Sequence, residues 1–112
     1  MNKERDKARK IVNLLMEYYV MHEYSHINVD ISIDQFNTKI VMEGEVNPDN
    51  VDIKELENLF TPPRMVEYDD YYEGLLNSED SEEIHAVGFL MDDAYIKLNG
   101  DILLIKLYRS HL

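Results

Sequence analysis

The sequence predicts a single α+β domain, and three observations carry that prediction. Apolar residues recur at helical spacing from Lys3 to about Tyr24. The pattern then switches to strict alternation over Ile27 to Ile33. It closes on a nearly continuous apolar run, Ile102 to Tyr108, of the kind a buried strand carries. The chain has 112 residues, the usual size of one domain with one core, so residues 1–112 are read as one unit.

Each element has its own warrant. In the first helix Ala8, Ile11, Leu15, Tyr18 and His22 form one stripe, widened by Val12, Leu14, Met16 and Tyr19. A stripe that wide implies burial against a sheet. In the first strand Ile27, Val29, Ile31 and Ile33 alternate with Asn28, Asp30 and Ser32, which predicts a half-buried strand with a polar outer face. Asp34-Gln35-Phe36-Asn37 is a hairpin turn, and Thr38 to Val46 returns as the partner strand with Ile40 and Met42 inward. Asn47-Pro48-Asp49-Asn50 is a loop. Asp52 caps a short helix with Glu55 three residues on; Ile53, Leu56, Leu59 and Phe60 are its apolar face, and Pro62-Pro63 stops it. Residues 61–83 form an acidic, Tyr-rich, lid-like connection with a helical turn or two around Tyr68 to Leu76. Ile84, Val87, Met91, Ala94 and Leu98 then predict a helix ended by Asn99-Gly100. Arg109 and His111 fall in a C-terminal tail.

Composition narrows the function. Twenty-three acidic residues face eleven basic ones, a net charge of −12. That field repels phosphate backbones and anionic lipid, so nucleic acid and membrane surfaces are poor partners. It suits a basic protein, a cation or plain solubility. Cysteine is absent, so disulfides and thiolate zinc sites are excluded. The start is basic and polar with no apolar segment of signal-peptide type behind it, and Ile11 to Met21 is too short to span a bilayer. A cytoplasmic protein without membrane insertion is expected.

The element order resembles the ATP-binding domain of sensor histidine kinases, within the wider gyrase, Hsp90, kinase and MutL ATPase superfamily, from about Lys10 to Tyr108. Ile11-Val12-Asn13-Leu14-Leu15-Met16-Glu17 looks like the helix bearing that family's Asn box. Glu55-Leu56-Glu57-Asn58-Leu59-Phe60 looks like the segment before the lid, and Ile84 to Leu98 with Asn99-Gly100-Asp101-Ile102 like the helix and turn after it. The resemblance implies a shortened two-layer sandwich, a small mixed sheet with helices packed on one face. It also implies a bacterial two-component setting and Mg-ATP as the family ligand, in a pocket near Asn13, Glu17 and Gly88.

The chemistry-bearing positions depart from the family. Its magnesium-binding Asn falls at Glu17, although Asn13 matches the Asn four residues earlier. Its adenine-reading Asp falls near Val46, and its glycines fall near Pro48 and Asn50, where Pro cannot let backbone approach a nucleotide. Of the glycine-rich lid only Gly88 is left, beside His85-Ala86-Val87. The expectation is therefore a degenerate domain without cofactor, acting in docking or regulation with a protein partner or a neighbouring kinase domain. The apolar Ile102-Leu103-Leu104-Ile105 run adds a possible homodimer.

A rival signal is literal. His22-Glu23-Tyr24-Ser25-His26 reads H-E-x-x-H, in which two histidines on one helix face bind Zn²⁺ and the glutamate is general base. On that reading the metal ligands are His22 and His26, with Glu23 catalytic in a small zinc hydrolase. The helix must then run through His26, and a third ligand must come from Glu55, Glu57 or His85. A third possibility is an acidic inhibitor or antitoxin-like protein. The acids Glu67, Asp69, Asp70, Glu73, Glu79 and Asp80 lack EF-hand spacing and are read as a solvated lid. Tyr68, Tyr71 and Tyr72 are either a recognition patch or the lid's packing face.

Overall fold

The computed structural model describes residues 2–21, 26–61, 63–75 and 84–111. Helix α1 (Asn2–Met21) leads into strands β1 (Ile27–Ile33) and β2 (Asn37–Glu45). Short helices α2 (Ile53–Leu59), α3 (Asp69–Leu75) and α4 (Ile84–Leu90) follow, and strands β3 (Asp93–Asn99) and β4 (Ile102–Ser110) close the chain. The four strands form one sheet in the order β1-β2-β4-β3. Helices pack against it, so the α+β class is as the sequence predicts. Every pairing is antiparallel, where a mixed sheet was expected.

Register explains which face is covered. The row Ile31, Ile40, Leu107, Ala94 lies beside the row Val29, Met42, Ile105, Ile96, and side chains in such rows share a face. Ile40, Met42, Ile105 and Leu107 are buried there with Ile11, Leu15 and Tyr19 of α1, Leu56 of α2, and Val87 and Leu90 of α4. The opposite face carries Asp30, Lys39, Glu43, Asp93, Lys97 and Lys106 around Val41, Leu104, Tyr95 and Tyr108. Of the Ile102–Ile105 run, Leu103 and Ile105 point inward and are buried, while Ile102 and Leu104 are half-buried on that mixed outer face.

Local chemistry sets the turns. Asp34 accepts hydrogen bonds at Oδ1 from the backbone N–H of Phe36 (2.7 Å) and Asn37 (2.8 Å), closing the first hairpin. Those two bonds hold its carboxyl below the usual range. Asp52 accepts from the N–H of Glu55 (3.1 Å) and starts α2 as predicted.

Two elements correct the sequence reading. Ile84 to Leu98 is not one helix: α4 stops at Leu90 and β3 occupies 93–99. Ala94, Ile96 and Leu98 satisfy a period of two as well as the helical spacing. Their pairing with Leu107, Ile105 and Leu103 decides between the two. Asn99-Gly100 is consequently a hairpin turn, with Gly100 at φ 63°, and not a helix stop. The expected tail is also absent at Arg109: β4 continues to Ser110, and Arg109 pairs with Thr38 inside the sheet.

Tyr19 ties the layers together. Its hydroxyl donates toward the carbonyls of Met42 (3.1 Å) and Leu103 (2.9 Å), over the seam between β2 and β4. Burial pushes its phenol far above the ordinary range, with Tyr18 and Glu43 adding to the effect. Tyr18, beside it, is pushed up to about 12 by burial, with smaller contributions from Glu55 and Asp52.

Candidate functional site

Two features stand out, one buried and one open. The buried one is a chain of charges that joins α1, α3 and β4 to the loops beside them. Arg109 donates from Nε and Nη2 to the carboxylate of Glu4 (2.9 and 3.2 Å), from Nη2 to Asp69 (2.9 Å) and from Nη1 to the carbonyl of Leu90 (2.9 Å). Arg64 donates to both oxygens of Asp69 (3.3 and 2.7 Å), to Asp92 (2.6 Å) and to the carbonyl of Ser110 (2.7 Å). Both guanidinium side chains are almost wholly out of water, at 2 and 3 % exposure. Lys7 bridges Glu4 and Glu73, each at 3.4 Å. His111 sits 2.6 Å from the Thr38 hydroxyl and 3.7 Å from Glu4.

The electrostatics of this network are closed. Burial by itself raises the carboxyls of Glu4 and Asp69. The guanidinium of Arg109 on Glu4, and those of Arg64 and Arg109 on Asp69, outweigh it and hold both below their usual values. Burial likewise disfavours the charge on Arg64, and Asp69 and Asp92 more than restore it. Each buried ionic group therefore has partners already. Such an arrangement fixes the position of α1, α3 and the end of β4; it offers no free acid, base or nucleophile.

The open feature is a groove of about 490 Å³ between α1 and β1. Ala8, Val12, Ile31 and Ile33 give it an apolar lining, and Arg5, Arg9 and Asn13 border it. It exists because β1 is an edge strand wider of the helix layer than α1 can cover. Val29 and Ile31 lie on the core-facing side of the sheet, yet remain 39 and 44 % exposed.

The sequence-predicted residues are dispersed by this fold. Asn13 and Glu17 are exposed on α1, four residues apart. Gly88 is buried in α4, where an added Cβ would collide with the backbone carbonyl of Leu59 in α2. That glycine permits two helices to touch and is closed to a ligand. His22 and Glu23 lie outside the described residues. His26 is not helical: it immediately precedes β1, its carbonyl accepts from the N–H of Glu45, the last residue of β2, and its exposed ring lies 3.3 Å from the Glu45 carboxylate. Among the described residues no group of three or more His, Asp or Glu is arranged to hold a metal.

The acidic connection of residues 61–83 is not uniformly a solvated lid. Asp69 and Glu73 belong to the ionic network. Tyr72 stacks on Phe89 with ring centroids 4.4 Å apart, while Tyr68 and Tyr71 stay exposed. Glu79 and Asp80 lie outside the described residues. The residues that sequence reasoning missed are Arg64 and Arg109. For Arg109 a signal existed, since it continues the alternation of Leu103, Ile105 and Leu107. For Arg64 none did.

No protein-family model matches the chain, and no curated protein is significantly similar to it. Among the described residues no helix is long and apolar enough to cross a membrane.

Proposed function

We propose that this chain is a non-catalytic docking domain of a regulatory system, working by presenting a surface to a protein partner. The observation that carries the reading is the groove between α1 and β1, whose apolar lining continues onto the exposed Val29 and Ile31. A contiguous exposed apolar patch rimmed by polar residues is the kind of surface that marks an interaction site. The buried charges are compatible with the same reading, because Arg64, Arg109, Asp69 and Glu4 are all engaged with one another in holding the fold. A cytoplasmic signalling context of the histidine-kinase type, with the catalytic apparatus lost, belongs to the proposal. It rests on the likeness of Ile11–Glu17 and Glu55–Phe60 to segments of that family, and not on Ile84–Leu98, which is a short helix and a strand in place of the family's long helix.

The test is site-specific photocross-linking in cells of the natural host. A photoreactive residue at position 31 is expected to trap a defined protein, while one at Lys97 on the outer sheet face traps none. The docking reading fails if position 31 yields no adduct, or the same background as position 97.

A further inference from the structure

Among the described residues no strand pairs with the outer edge of β1, the strand that borders the groove. Hydrogen-bonded pairs flank β1 at both ends, His26 with Glu45 and Asp34 with Asn37. In an antiparallel ladder such pairs alternate with pairs that do not bond. Asn28, Asp30 and Ser32 therefore spend their N–H and C=O groups on β2. Those of Val29 and Ile31 point away from the sheet. The sheet's other edge, β3, is flanked by α2. Proteins commonly protect a free edge with lysine, proline, a bulge or a very short strand. β1 has seven residues, INVDISI, and its one charge, Asp30, lies on the outer face.

The charge beside that edge differs from the charge of the whole chain. Five of the eleven basic residues, Lys3, Arg5, Lys7, Arg9 and Lys10, fall in the first ten positions. Lys7 is turned inward, and Arg9 and Lys10 share Asp6. Among the described residues Arg5 makes no ion pair, and it lines the groove. Screening limits long-range repulsion to about 8 Å at physiological salt, so Arg5 can act on a segment passing close to it in spite of the net −12.

Resting on the docking reading, we infer that β1 accepts a fifth strand from a partner protein. The incoming segment is extended, with apolar side chains at alternate positions and a carboxylate where it passes Arg5. Backbone bonds to Val29 and Ile31 supply its register, the groove takes its apolar side chains, and Arg5 selects its charge. A second copy of this chain fits less well. It would bring another Arg5 and Arg9 toward the first pair, along with another chain of net charge −12.

The experiment is an NMR titration of the full, isotope-labelled chain with synthetic nine-residue peptides. One alternates valine and threonine with glutamate at both ends; its control carries lysine at both ends. The glutamate peptide is expected to bind about fivefold more tightly at low salt, with the difference shrinking in high salt. It should slow hydrogen exchange at the amides of Val29 and Ile31 and leave those of Asn28 and Asp30 unchanged. Arg5→Glu, an exposed substitution that keeps the fold, should reverse the preference. Equal binding of both peptides overturns the charge selection. Edge amides that stay unprotected, while position 31 still cross-links to a partner, overturn strand addition and leave docking standing. Neither binding nor cross-linking overturns both. Concentration-dependent protection of the same amides without peptide assigns the edge to a second copy and overturns the partner strand.

Discussion

Replacing Arg109 with methionine would leave Glu4 and Asp69 facing each other's neighbourhood without the cation that joins them. Both carboxylates are largely out of water, and removal of one partner from a buried ionic group costs about 3–5 kcal/mol. The loss should depend on pH in a definite direction. In the folded protein Arg109 depresses the carboxyl of Glu4, and Arg64 together with Arg109 depresses that of Asp69, from ordinary values of 4.5 and 3.8. The unfolded chain thus takes up protons first as pH falls, and the network's contribution, complete above those values, declines below them. Urea unfolding of wild type and R109M should show the widest gap at neutral pH and a narrowing gap below about pH 4.5. A gap that stays constant down to pH 3 would mean that Arg109 acts through packing alone.

At the scale of elements, Gly88 is the most sensitive contact between helices. An added methyl group has the Leu59 carbonyl in its way, and backbone cannot yield as a flexible side chain does. Gly88→Ala should destabilise the domain by about 1–3 kcal/mol, through separation of α4 from α2. Thermal unfolding measures it, and an unchanged midpoint would show that the two helices part freely. The same elements show what the sequence discloses. α1, both strands of the first hairpin, the Asp52 cap and the helical turns near Tyr68 to Leu76 were legible, because each has local chemistry that agrees with its tertiary place. β3 was not, since Ala94 and Leu98 fit two periods at once and only their partners on β4 choose between them. The candidate site was less legible than the fold. Ile31 and Ile33 read as core residues, and nothing local reveals that β1 ends up at an edge beyond the reach of α1. The ionic network was hidden for a related reason: Glu4, the Arg64–Asp69 pair and Arg109 are far apart in sequence, and charge alone argues for the surface.

For the molecule as a whole, the docking reading gives the ionic network and the edge of β1 complementary roles. The network immobilises α1 from its first turns, through Glu4 and Lys7. The next residues of the same helix, Ala8 and Val12, form one wall of the groove. A wall fixed in this way presents a preorganised surface, which reduces the entropy lost on binding. On this account the working part of the molecule is its surface, and a pocket for nucleotide or metal is not required. Thermal unfolding of EDTA-treated protein tests that most directly, with millimolar Mg-ATP in one arm and equimolar Zn²⁺ in the other. A ligand at a hundred times its dissociation constant adds about 2.7 kcal/mol of stability, and each kcal/mol moves the midpoint of a domain this size by about 4–8 °C. The account predicts no shift in either arm. A rise of about 10 °C or more with Mg-ATP, or with Zn²⁺ and lost in His22→Ala, would contradict it and return the molecule to the nucleotide-binding or the metal-dependent reading.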